Sequence, residues 1–349
     1  MEFQIIRVLF FATLAFVFAM FCTPFLTNFL YKHKLGKQIR NTGSTPIFSE
    51  LHAHKEGTPT MGGVLIWGTV LILILFFYIL NLIIPGSFSS TFNFLSQKET
   101  LLPLGALIAS ALIGLFDDWL DVRKKGVLGG GGLRMKHRLL IYTFIAIIGA
   151  LWFYFKLDWT TIHIPFLGYT EISWWYIPVF ILVLVATSFS VNETDGLDGL
   201  AGGTLLISFS SYAVISFVMG RYDLAVFCAV IIGALLAFLW FNIPPARFYM
   251  GDTGSMSLGI TLGIIAMLTN NVLILPFIGF IFVVESVSVI IQILSRKIRH
   301  KKVFLSAPIH HHYQAKGWPE SKVVMRFWLI AGIMAVIGLM IFFTDKTFN

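Results

Sequence analysis

Carboxylates standing at the borders of hydrocarbon-like runs have the most chemistry to offer in this sequence. Of its 17 Asp and Glu, seven lie at or beside the ends of long apolar stretches: Asp117, Asp118, Asp121, Glu193, Asp195, Asp198 and Asp252. Asp117-Asp118, in LIGLFDDWLD, is expected at the C-terminal end of a helix, where the macrodipole is negative and acids are disfavoured. Two adjacent carboxylates there call for a compensating cation. Taken alone, the pair reads equally well as a solvated helix end.

Three further motifs tip the balance. In Asn192-Glu193-Thr194-Asp195-Gly196-Leu197-Asp198-Gly199, Asn192 and Asp195 would share a helical face. The two glycines would let backbone amides approach a ligand closely. One Asp-Gly is an ordinary turn; two in succession behind Asn and Thr suggest binding. In FNIPPARFYMGDTGS, residues 241–255, Asp252 opens a helix whose N–H groups and positive dipole end suit phosphate. A plain N-cap is the simpler use of such an Asp. Pro308–Tyr313 carries His310, His311 and His312. Three consecutive His cannot all ligate one metal from a helix face, and zinc sites use wider spacing. Such a row can bind phosphate or donate to a leaving group.

The stretch KEGTPTMGG, residues 55–63, adds Lys55, two hydroxyls including Thr60, and close glycines. By itself it is only a loop leading into a helix. Oxygen ligands without Cys point to a hard cation, and Mg²⁺ is the usual partner of phosphates. Carboxylates, a helix N-terminus, His and Lys on one face describe metal-assisted phosphoryl transfer.

The elements that must hold these residues are membrane helices. The chain is 57% hydrophobic and 12% charged, with mean hydropathy +0.84 and 35 Phe. Soluble domains carry about a quarter charged residues, so the bilayer is the natural solvent. Ten apolar segments can be drawn, near 5–31, 61–84, 101–120, 139–156, 174–191, 201–219, 224–241, 255–270, 271–295 and 326–344. The first is too long for a signal peptide and is expected to be retained. The eighth and ninth abut across Thr269-Asn270-Asn271, and Pro276 is expected to bend or break the ninth. Residues 157–173 alternate weakly around Pro165 and Gly168, which predicts a short β-hairpin. The expected fold is an all-α polytopic membrane protein of about ten transmembrane helices, forming a single domain over 1–349. Cys22 and Cys228 both fall in apolar runs, against a disulfide framework or Cys-ligated metal.

Charge sets the orientation. Loops 32–60, 121–138, 242–254 and 296–325, with Arg326, hold 20 of the 25 Lys and Arg. Cytoplasmic loops carry that excess, so both chain ends and the hairpin are expected outside and the acidic motifs at the cytoplasmic face. A secondary transporter is the alternative from another class, since intramembrane acids mark ion pathways near the midplane. Here the acids sit at helix ends on one side, with Glu285 as the midplane exception. No nucleic-acid partner is expected.

GTPTMGG, FDD, NxTDGLDGLAGG, FN-x₂-PA-x₂-[FY]MGDTGS and PIHHHYQAKGWPESKVVMRFW resemble the phospho-N-acetylmuramoyl-pentapeptide transferase family. The likeness runs over nearly the whole chain in the right order. The HHHY-x₃-GWPE block separates it from sibling transferases that use UDP-N-acetylglucosamine, the nearer alternative. The resemblance implies a bacterial inner-membrane enzyme of peptidoglycan synthesis, hence of cell wall biogenesis, cell shape and division. It would join UDP-MurNAc-pentapeptide to undecaprenyl phosphate, giving lipid I and UMP, as a Mg²⁺-dependent homodimer.

By the same resemblance Asp117 matches the favoured base for the lipid phosphate, Asp118 a support for the metal or the lipid phosphate, and Asp252 the Mg²⁺ ligand. Asp117 and Asp118 are further metal candidates. Asn192 and Asp195 match residues near the pyrophosphate. Gly196, Leu197 and Asp198 match the uridine pocket, with Tyr249 where a stacking Phe is usual. Lys55, Thr60, Asn242 and Gln292 match further nucleoside contacts, and His310, His311 and His312 the His loop. Asp121, Glu193 and the Gly129–Gly132 run depart from the pattern. Asp121 stands where many members carry a basic residue, and Lys125 is expected to supply the missing charge.

Overall fold

A computed structural model describes residues 1–36, 57–96, 99–123 and 132–348. Lys55, Lys125 and most of the Gly129–Gly132 run lie outside the described residues. Among the described residues thirteen α-helices and one hairpin follow in order. They are α1 Glu2–Lys32, α2 Val64–Ile83, α3 Ser87–Phe92, α4 Leu101–Val122 and α5 Met135–Lys156, then β1 Thr161–Ile164 and β2 Gly168–Glu171. After these come α6 Tyr176–Thr194, α7 Leu200–Val218, α8 Tyr222–Asn242, α9 Gly251–Leu268, α10 Leu275–Ile278, α11 Phe280–Arg299, α12 Ile309–Ala315 and α13 Glu320–Phe348.

Among the described residues nine helices are long and apolar enough to span a membrane, or ten if the bent pair 272–278 and 280–299 counts as one. Long runs of Leu, Ile, Phe and Val form helices here because lipid offers no partner to a backbone amide. The multi-pass all-α expectation holds. The ninth expected segment is broken by 83°, but Pro276 is not the hinge. It sits in the first turn of α10, where its missing N–H costs nothing, and the chain turns at Gly279 between α10 and α11.

Burial runs against hydropathy. The central helix α9 has its whole spanning window buried at a mean hydropathy of 1.2, whereas α1 reaches 2.4 with 22% buried. α9 is shielded by other helices instead of lipid, so small residues serve it better than large apolar ones. A side chain on Gly114 of α4 would run into the backbone of Asp252 and Thr253. One on Gly254 would strike Met250 and Gly63, the residue just before α2. These glycines set the close approach of α4 and the start of α2 to the N-terminal end of α9.

The hairpin pairs Thr161 with Glu171 and Ile164 with Gly168, as expected. It is tied down by Asn270, whose Oδ1 accepts from the His163 amide at 3.1 Å, and by Asp345 of α13, which accepts from the Phe166 amide at 2.6 Å. Near the other terminus, Arg7 of α1 pairs with Asp223 at the start of α8 at 2.8 Å. Arg221 reaches the Leu268 carbonyl at the end of α9 at 2.6 Å. Both chain ends thus lie at the end of the bundle where α9 finishes. The acidic residues gather where α9 begins.

Candidate active site

Four helix ends meet at the start of α9. Asp117 and Asp118 come from the last turns of α4, Arg138 from the first turn of α5, Asn192 from the last turn of α6, and Asp252 from the first turn of α9. Asp117 and Asp118 are both buried.

Each acid has its own answer to the charge problem posed by the sequence. Asp118 lies at the unfavourable end of α4, yet it faces the favourable end of α9. Its Oδ1 accepts from the Asp252 amide and its Oδ2 from the Thr253 amide, both at 3.0 Å, and Thr60 donates to Oδ1 at 3.3 Å. An acid capping a neighbouring helix in this way gains from that helix's dipole. The N-cap position, Met250, makes no side-chain capping bond, so the capping job considered for Asp252 is done by Asp118.

Asp117 and Asp252 share one guanidinium. Arg138 Nε donates to Asp117 Oδ2 at 2.8 Å, Nη2 to Asp252 Oδ2 at 2.6 Å, and Nη1 to Asn192 Oδ1 at 3.0 Å. Asp117 also accepts from the Leu133 amide. Asn192 donates its amide to Asp252 Oδ1 at 2.6 Å and to Ser255 at 2.9 Å. Three oxygens from three helices therefore converge on a single cation. Bonds of this charge-assisted kind are roughly twice as strong as neutral ones.

A second cluster begins three residues past Asn192. α6 ends at Thr194, and the chain turns through Asp195–Gly199 into α7, with Gly199 at φ 82°. Asp195 is therefore past the helix end rather than on a shared helical face with Asn192. A Cβ on Gly196 would meet Nε2 of both His310 and His311, so the absent side chain lets two imidazoles approach the turn. Asn242 locks the turn from below: its Oδ1 accepts from the Gly199 amide and its Nδ2 donates to the Phe248 carbonyl, both at 2.9 Å. Asp198 accepts from the Ala246 amide at 3.1 Å and its own amide donates to Glu320 at 2.7 Å.

Residues 59–63 run beside 249–250, with amides of Gly62 and Gly63 donating to the carbonyls of Tyr249 and Met250. This strap delivers Thr60 to Asp118. Burial pushes the half-buried Tyr249 phenol up, with Asp198, Glu320 and Asp195 adding to the shift.

Residues 100–270 match the family model for Glycosyl transferase family 4. Residues 55–66 match phospho-N-acetylmuramoyl-pentapeptide-transferase signature 1. A phospho-N-acetylmuramoyl-pentapeptide-transferase of Chloroflexus aggregans is 38% identical over 95% of this chain and 89% of its own length. Those of Geobacillus sp. (strain WCH70) and Bacillus subtilis (strain 168) are 38% and 37% identical, over 94% and 96% of this chain and 95% and 97% of theirs. The chain belongs to the phospho-N-acetylmuramoyl-pentapeptide-transferase family.

Within this family member the expected site residues divide by what they touch. Asp117, Asp118, Asp252, Asn192 and Thr60 form the acidic cluster. Asp195, Gly196, Leu197, Asp198, Asn242 and Tyr249 surround the adjoining turn, with His310 and His311 beside it. His312 faces elsewhere: its Nδ1 accepts from the Leu305 amide at 3.1 Å, and burial with Lys316 pushes its imidazole down. Gln292 spends both ends of its amide on the backbone of Val303 and Phe304, so it braces the loop that leads to the His row.

Arg138 is the residue the motifs did not single out. Its sequence signal is faint, one cation among six in loop 121–138. A stronger hint was available in the demand of Asp117 and Asp252 for positive charge. Glu285, the acid expected nearest the midplane, has His310 from the basic loop as its partner at 3.0 Å.

Proposed function

We propose that this protein transfers phospho-MurNAc-pentapeptide from UDP-MurNAc-pentapeptide to undecaprenyl phosphate, giving lipid I and UMP in peptidoglycan synthesis. The observation that carries the proposal is the convergence of Asp117, Asp252 and Asn192 oxygens on one cation, beside a glycine turn flanked by two imidazoles. An oxygen of the lipid phosphate attacks the sugar-linked phosphorus, the bridging P–O bond breaks, and its electron pair leaves with UMP. Asp117 is the base for the lipid phosphate in this reading, bonded to Arg138 and the Leu133 amide, while Asp118 has both oxygens on amides of α9. Asp118 then serves to hold Asp252 in place. The second cluster suits the nucleotide, with Tyr249 offering a ring and the Gly196 turn offering close backbone approach.

Carboxylate and amide oxygens from three helices are donors that suit a hard metal ion, and holding one here would require Arg138, which bonds all three, to move aside. Asp252, with Asp117 and Asn192, would hold Mg²⁺, which when bound supplies charge neutralisation at the phosphate oxygens. The positive-loop bias supports the bacterial inner membrane with the site on the cytoplasmic face, and a homodimer is the assembly we propose.

Incubating purified protein with Mg²⁺, undecaprenyl phosphate and UDP-MurNAc-pentapeptide should release UMP. Absence of UMP, together with turnover of UDP-N-acetylglucosamine, would replace this reading by the sibling transferase.

A further inference from the structure

Glu285 is an acid that the phosphoryl-transfer cluster does not use. It lies in α11, one turn and a half past the break at Gly279, and is fully buried. Its Oε2 stands 3.0 Å from Nδ1 of His310, which is also fully buried. Its Oε1 makes no hydrogen bond among the described residues, while the backbone amides of Ile309 and His310 approach the carboxyl group. A buried carboxylate kept this way is costly, and the cost is intelligible if the charge is used. The opposite edge of the same imidazole, Nε2, lies against Gly196, where Nε2 of His311 also arrives. The two rings are 4.0 Å apart between centres.

We propose that Glu285 is a positioning residue that fixes Nδ1–H of His310 and supports its positive charge, so that Nε2–H donates to the diphosphate of the bound nucleotide. The inference rests on the reading of this turn as the nucleotide-diphosphate site. A ring nitrogen's role is set by what the other nitrogen bonds. With Nδ1 facing the carboxyl group of Glu285, Nε2 is the nitrogen turned toward the Gly196 turn. An anionic diphosphate arriving there favours the imidazolium, and the carboxylate behind it balances the charge. The other ionisable groups around the ring are His311 on its own helix, Asp195 in the turn, and Glu193 from α6, which acts on Glu285. Glu320 of α13 is engaged with the Asp198 amide.

The test uses the full-length protein with E285Q, E285D, H310Q and the double variant E285Q/H310Q. Two readings are taken across pH: kcat/KM with UDP-MurNAc-pentapeptide, and affinity for UDP. E285Q, which keeps the shape and loses the charge, should lower kcat/KM by about 10²-fold at neutral pH, the usual loss for one donor to a developing anion. Its alkaline limb should move to lower pH by about 1–3 units, and UDP affinity should move with it. E285D should keep the wild-type limb at a reduced rate. The double variant should be little worse than H310Q, since the pair acts as one unit.

A loss equal at every pH, or losses that add in the double variant, would overturn the proposal and reduce Glu285 to packing. If the wild type releases no UMP, the proposed reaction fails by itself, and the pH dependence of UDP binding still decides the Glu285–His310 pair.

Discussion

At the residue scale, the site is a problem of three acids and one guanidinium. Asp117 and Asp252 both need Arg138, and no neutral side chain can replace it. R138Q is expected to lower turnover by at least about 10²-fold and to leave a protein whose thermal midpoint falls in EDTA and recovers with added Mg²⁺. An unchanged midpoint in EDTA would mean that the acids are balanced by something else. D117N and D252N are each expected to lose nearly all UMP release while retaining the fold. D118N should act differently, because its carboxylate caps α9. Losing a buried charge-assisted bond costs about 1.5–3 kcal/mol, so D118N should lose thermal stability as well as activity. If D118N melts like wild type, the capping role is wrong.

At the element scale, the acids meet because α4 can touch α9. The contact needs Gly114, where a Cβ would enter the backbone of Asp252 and Thr253. Overpacking of this kind costs about 1–3 kcal/mol or more. Gly114→Leu should therefore push α4 away from α9 and abolish activity without altering any polar residue. Wild-type activity in a folded Gly114→Leu protein would refute the close-packing argument. The broken helix 272–299 matters in a similar way. Its turn at Gly279 leaves α11 free to carry Glu285 and Gln292 under the loop that bears the His row. A long apolar run revealed that a helix was there, but the hinge residue depended on packing. Gly279 abuts Leu275 and Phe282, neither of which marks a bend when read along the chain.

At the scale of the whole molecule, the protein is polarised. One end holds Arg7, Asp223, the hairpin and Asp345, and the other holds the acidic cluster, the glycine turn and the imidazoles. The loops that hold 20 of the 25 Lys and Arg in the sequence join helices whose described ends lie at the acidic end, which matches that division. A reporter active only outside the cytoplasm, fused after Asn349, should therefore give signal. Signal from a cytoplasm-specific reporter at the same point would invert the orientation and move the proposed site to the wrong face for a nucleotide substrate.

Composition alone was enough to require a membrane protein, since 12% charge cannot cover a surface in water. Continuous apolar runs located the spans, and the spacing of Asp, Asn, Gly and His marked the segments where chemistry belongs. Those features are local, and each can be read within a window of some twenty residues. What compensates Asp117 and Asp118 is not local. Arg138 is 21 residues from Asp117 along the chain, and the α9 amides are 134 and 135 residues from Asp118. The pairing of Glu285 with His310, the turning of His312 away from Gly196, and the choice of Gly279 over Pro276 as hinge likewise depend on which helices pack together. Helix packing in lipid is decided by small residues and close contacts between distant segments, and a linear pattern carries that information only in part.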